Sequence, residues 1–117
     1  MTDHLFRMKN SIVLVPFPFD DFSNSKIRPA LCLTNEIGEF QHVIIAFISS
    51  NLASNILRSD FVIMSKLKTE TGLKVDSVIK LNKIVTIPKG LIKRKLGELS
   101  VDDSITVGKK LIRLFEL

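Results

Sequence analysis

The first strong pattern along the chain is Ile12-Val13-Leu14-Val15, an apolar run rich in β-branched residues that predicts a strand. It stops at Pro16-Phe17-Pro18-Phe19, because two prolines cannot donate to a central ladder. Residues 20–26 are polar and turn-forming, long enough for a functional loop. A second strand is predicted over 29–34, followed by a turn around Gly38. Residues 43–48 are apolar on both faces, the pattern of a central strand. Ser49-Ser50-Asn51 then opens a polar loop that leads to a fourth strand over 61–64. After a loop carrying Gly72, strands are predicted over 77–81 and 84–87, separated by Asn82-Lys83. Alternating apolar and basic positions over 92–96 predict a short edge strand.

The period changes at the C-terminus. Val101, Ile105, Gly108, Ile112 and Phe115 are spaced as one stripe of an amphipathic helix. Ser100 is placed to cap it, Asp102 and Asp103 suit the positive end of its dipole, and Lys109, Lys110 and Arg113 lie toward the negative end. Short strands at close spacing followed by one helix predict a small, mostly β barrel closed by that helix.

Composition narrows the class. The 117 residues fit one domain spanning 1–117, with no repeat and no linker, and 45% hydrophobic with 25% charged residues excludes a disordered chain. The single cysteine, Cys32, excludes an intrachain disulfide and a cysteine zinc cluster. No apolar run reaches the ~20 residues of a membrane span, and the N-terminus is too polar for a signal peptide, so a soluble cytoplasmic protein is expected. Seventeen Lys and Arg against 12 Asp and Glu leave a net charge of +5, which favours a polyanion or an acidic protein as partner. Positive mean hydropathy points to apolar surface used in a subunit interface.

Familiar catalytic signatures are absent: there is no GxGxxG, Walker loop, HExxH or GxSxG. His4 and His42 lack metal-ligand spacing, so no metal or cofactor is expected. Cys32 lies in an apolar strand, where an inert buried thiol is expected. Asp102-Asp103 is explained by helix capping and Asp20-Asp21 by a turn. What remains is Arg28, with Ser25 and Lys26 before it and Pro29 after it, the proline biasing Arg28 toward an extended backbone at the end of its loop. Ser49-Ser50 forms a second polar group where the apolar third strand ends.

The stretch IVLVPFPFDDFSNSKIRPALCLTN, from Ile12 to Asn35, resembles the opening of the MazF/PemK family of toxins, including its Lys-x-Arg-Pro segment. HVIIAFISS, from His42, looks like the family's third strand ending in Pro-x-Thr-Ser, and Thr71 to Ser100 resembles its Gly-Leu, Ser-Val and Gly-x-Leu-Ser segments. The resemblance implies an SH3-like barrel of the MazF/PemK/CcdB toxin type with a C-terminal helix. It further implies a homodimer, metal-independent and sequence-specific cleavage of single-stranded RNA, and an antitoxin that covers the RNA groove. By position Arg28 falls on the family's catalytic arginine, Ser49 on its catalytic threonine, and Ser25 in its substrate-facing loop. Three departures stand out: Ser49 for Thr, Phe47 for Pro, and Asn10-Ser11 for Gly-Asp before the first strand.

Metal-free RNA cleavage uses the 2′-hydroxyl as nucleophile and leaves a 2′,3′-cyclic phosphate and a 5′-hydroxyl. Arg28 suits the charge that grows on the phosphoryl oxygens, because its guanidinium stays ionised and its fork matches phosphate. Ser49 could donate to a non-bridging oxygen. His42, seven residues before Ser49 on an extended strand, is more than ~20 Å away and a poor general base within one subunit. Candidates for binding RNA are Ser25, Lys26, Ser50 and Phe17. Lys93, Arg94 and Lys95 either steer its backbone or deter strand pairing at an edge, and Phe19 and Phe22 either stack on bases or pack. A basic groove predicts an acidic antitoxin segment that folds on binding. The alternative is a non-catalytic or gyrase-targeting binding module on the same barrel.

Overall fold

The computed structural model describes residues 7–17, 26–52 and 55–117. Its strands are β1 (Ser11–Phe17), β2 (Lys26–Cys32), β3 (His42–Ser49), β4 (Phe61–Ile63), β5 (Ser77–Pro88) and β6 (Arg94–Glu98), followed by the helix α1 (Val101–Phe115). They form one curled antiparallel sheet in the order β4-β5-β3-β2-β1-β6. The architecture is the mostly β half-barrel with one C-terminal helix that the pattern predicts.

Strand alternation sends successive side chains to opposite faces, and both faces are buried. Ile12, Leu31, Ala46, Ile48, Ile79 and Leu81 share one face, over which Val107, Leu111 and Leu114 of α1 close. Val13, Val15, Ala30, Cys32, Val43 and Ile45 fill the other, joined by Ile87 and flanked by Met8, Phe47 and Ile92. Each fully buried Val, Leu or Ile among them contributes about 1.5–3 kcal/mol on burial. β3 lies between β5 and β2, the central place its two-faced apolarity predicts.

Besides β6, which spans Arg94–Glu98 and not 92–96, four details differ from the sequence reading. Strand β2 starts at Lys26, not at residue 29, so Arg28 belongs to a strand and pairs with Val15. At the other end Thr34 falls outside β2, and its hydroxyl accepts the Ile44 N–H instead. Asn82-Lys83 does not separate two strands. β5 runs through, with Leu81, Asn82 and Lys83 standing opposite the single step from Ala46 to Phe47 as a bulge. A two-residue reversal needs positive φ, which neither residue adopts.

The fourth difference concerns the helix. Ser100 does cap α1, accepting the Asp103 N–H at 3.1 Å. The stripe Val101, Ile105, Ile112 and Phe115, however, faces outward, each residue half or more exposed. Asp103, Val107, Leu111 and Leu114 turn inward instead. Periodicity identifies apolar stripes but does not say which one meets the sheet. Among the described residues no helix is long and apolar enough to cross a membrane.

Candidate active site

Two prolines mark where the sheet parts. The β1–β6 ladder covers only Ser11 to Leu14, and the β2–β3 ladder begins at Ala30. The ribbon of β1 and β2 that carries Pro16 and Pro29 therefore extends beyond both neighbours, and a residue without an N–H costs little at such free edges. Arg28 sits on this ribbon, held extended by Pro29.

Beside the ribbon opens a cavity of about 340 Å³, floored by Leu14, Ile48 and Leu96. Arg28, Ser50, Lys74, Ser77 and Arg94 supply its polar lining. Lys74 arrives on the loop between β4 and β5, which is fixed from several sides. Asp76 Oδ1 accepts the Ser65 N–H at 2.8 Å, and the Thr71 hydroxyl donates to the Lys68 carbonyl at 2.8 Å. Gly72 and Gly97 let this loop lie directly against β6, backbone on backbone.

The cavity is cationic and unbalanced among the described residues: no carboxylate of theirs lines it, and none of Arg28, Lys74 and Arg94 forms an ion pair with them. Arg28 Nε is buried with no hydrogen-bond partner among the described residues. A buried N–H left unpaired costs about 1–3 kcal/mol, and an anionic oxygen entering the cavity would recover it. The arrangement can bind phosphate, with guanidinium forks and hydroxyl donors above an apolar floor.

The structure brings some of the predicted site residues together and leaves others apart. Arg28 and Ser50 share the cavity, whereas Ser49 does not line it. Ser49 ends β3, and its Oγ accepts the Asn51 N–H at 3.0 Å. Continuing the β2–β3 register past Ala30↔Phe47 would set Arg28 opposite Ser49, so the two stand across the gap where these strands separate. Lys26 is exposed at the start of β2, opposite Phe17, whose side chain lies outside the description, as do Ser25, Asp20, Asp21, Phe19, Phe22 and His4. His42 begins β3, at the end far from Ser49. Lys93 is exposed, and Lys95 pairs with Glu98 at 3.1 Å. Cys32 is fully buried, and desolvation pushes its thiol up to about 11 against the opposing pull of Lys95.

The departures from the family pattern have local explanations. Asn10 takes φ +73°, a left-handed conformation that asparagine tolerates better than most residues. Phe47 pairs with both Ala30 and Lys80 and packs into the second core. Sequence reasoning missed Lys74 and Ser77, which are distant from Arg28 along the chain and reach it only through the packed loop. Their signals were the Gly-Leu segment at Gly72 and the Ser-Val segment at Ser77. Among the described residues no group of three or more His, Cys, Asp or Glu side chains is placed to hold a metal ion.

A family model described as PemK-like, MazF-like toxin of type II toxin–antitoxin system matches residues 8–115. The chain belongs to this toxin family. Comparison with curated proteins finds no match. Among solved structures, the Mycobacterium tuberculosis toxin MazF-mt6 is similar at 22% identity and TM-score 0.71, over 92% of this chain and 97% of that one. A mycobacterial endoribonuclease in complex with its cognate antitoxin is similar at 11% identity and TM-score 0.71, over 96% of this chain and 97% of that one. MazF from Deinococcus radiodurans shares 16% identity at TM-score 0.67, over 93% and 96% of the two chains. At these identities the likeness to solved structures is one of fold, and the curled sheet with its closing helix is the fold of MazF-like toxins.

Proposed function

We propose that this MazF-like toxin is an endoribonuclease that cleaves single-stranded RNA in the cytoplasm without a metal ion, at sequence-specific sites. The observation that carries this reading is the Nε of Arg28, buried and without a partner among the described residues, in a cavity to which those residues bring three cations and no carboxylate. Solved structures of the same fold are named endoribonucleases.

In the proposed reaction the ribose 2′-oxygen attacks the adjacent phosphorus, its proton passing to a base. The bond from phosphorus to the 5′-oxygen breaks, and that oxygen takes up a proton. The products are a 2′,3′-cyclic phosphate and a 5′-hydroxyl. Arg28 holds the phosphoryl oxygens and stabilises the charge that develops on them. The Ser49 hydroxyl, whose oxygen already accepts from Asn51, keeps its own proton for a non-bridging oxygen. Ser50 binds alongside Arg28, while Ser25, Lys26 and Phe17 contribute further contacts to the RNA. DNA, which lacks the nucleophile, is left intact.

Two partners follow from this reading. An acidic antitoxin segment would neutralise the cavity, and one similar structure is named as a complex with its cognate antitoxin. A second copy of the chain would cover the outward stripe Val101, Ile105, Ile112 and Phe115, giving a homodimer.

The purified protein is expected to cut single-stranded RNA at low salt with EDTA present. Arg28→Ala should abolish cutting while leaving the protein folded. Intact RNA across varied sequences would overturn the nuclease reading, and capture of DNA gyrase by the same protein would favour a gyrase-targeting module instead.

A further inference from the structure

The half of α1 nearest its C-terminus borders a second cationic cavity, of about 300 Å³, lined by Arg58, Ser59, Lys110, Arg113 and Leu114. No carboxylate of the described residues lines it. Arg58 and Arg113 are exposed, and neither guanidinium has an ion-pair or hydrogen-bond partner among the described residues.

The surface is built rather than incidental. Asp60, its side chain fully buried, accepts the Leu57 N–H at 2.8 Å and holds Lys80 Nζ at 2.7 Å. Together with the Asp60 N–H to Leu57 carbonyl bond at 3.0 Å, this closes a tight turn with Arg58 and Ser59 at its tip. Lys110 Nζ then donates to the Arg58 carbonyl at 2.9 Å and ties that tip to the helix. Lys110 and Arg113 are three residues apart and share a helix face. Arg113 also complements the helix dipole, but Arg58 comes from another element, where no dipole asks for it.

We infer that this cavity is a second phosphate-binding site, gripping the sugar–phosphate backbone of single-stranded RNA outside the cleavage cavity. The inference rests on the RNA-cleaving reading, since the loop that carries Arg58 begins at Ser50 in that cavity. Two guanidinium forks, an ammonium and the Ser59 hydroxyl are all donors, the set that positions phosphates without reading bases. An acidic amphipathic peptide would also need an apolar groove, and among the described residues that line this cavity Leu114 alone is apolar. The exposed apolar stripe of α1 lies roughly 100° round the helix from Arg113.

The double variant R58Q/R113Q tests this, because it leaves the Asp60 turn and the Lys110 tie to the Arg58 carbonyl intact. Binding is read by fluorescence anisotropy with 2′-O-methyl RNA of random sequence, which cannot be cleaved. Because the variant can no longer neutralise two phosphates, affinity for RNA of about 20 nucleotides should fall about tenfold, and the log–log salt slope should become shallower by about 1.4. Affinity for RNA of about five nucleotides, which fills only the cleavage cavity, should change by less than about twofold. A variant with unchanged affinity and salt slope for the long RNA would overturn the inference, as would loss of polyglutamate binding with RNA binding unaltered. The nuclease reading fails separately: a wild-type protein showing this binding pattern but leaving unmodified RNA intact would refute that reading and retain this site.

Discussion

Gly72 lies so close beneath β6 that a Cβ built on it would collide with the carbonyl oxygen of Leu96. Its φ of +74° is a second reason for glycine there. Gly97 makes the reciprocal contact, where a Cβ would run into the backbone of Glu70 and Thr71, with no positive φ involved. Gly97→Ala thus isolates the close approach. It should destabilise the protein by about 2–3 kcal/mol and weaken RNA cleavage by moving Lys74 away from Arg28. Chemical denaturation measures the first effect and cleavage kinetics the second; an unchanged KM would mean that Lys74 does not contribute to substrate binding.

The two serines should separate kinetically. Removing a hydroxyl that donates only in the transition state costs about 10²-fold or more in kcat. Ser49→Ala should show that loss with little change in KM, and Ser49→Thr should keep activity. Ser50→Ala should mainly raise KM. If Ser50→Ala instead takes the whole kcat loss, the hydroxyl in the cavity is the one that acts on the phosphate.

Cys32 provides a pH test of the second core. Burial raises its thiol from 9.0 to about 11, so between these values the folded protein holds a proton that the unfolded chain releases. That difference is absent below pH 9 and lowers stability as pH rises toward 11. The melting temperature of the wild type should therefore fall more steeply over this range than that of Cys32→Ala. Parallel slopes would show that the thiol does not sense its burial. In the native state at pH 8 the same thiol should resist alkylation.

The outward stripe of α1 predicts an interface. Ile112 is 53% exposed, so Ile112→Glu should leave the thermal stability of the monomer fold almost unchanged while converting a dimer to a monomer in sedimentation. A wild-type protein that sediments as a monomer would remove the homodimer from the proposed function.

Much of this molecule was legible in its sequence. Apolar runs located the strands, and the two-faced run 43–48 identified the central one, because burial on both faces leaves no polar position. Ser100 and the acidic first turn announced the start of α1, since capping is a local interaction. Ordered matches around Arg28, Ser49 and Gly72 pointed to the toxin family before any contact was known. Each of these rests on residues near one another along the chain.

Tertiary packing decided the rest. Only the sheet could select the stripe of α1 to bury, because a helix with two apolar stripes carries no preference until a partner surface exists. Only the length of the neighbouring ladders made Arg28 a strand residue on a free ribbon, and only backbone contact at Gly72 and Gly97 carried Lys74 to it. The convergence of Arg58 with Lys110 and Arg113 has the same origin. Local propensity acts over a few residues, whereas these charges come from distant segments that meet through burial and long-range hydrogen bonds.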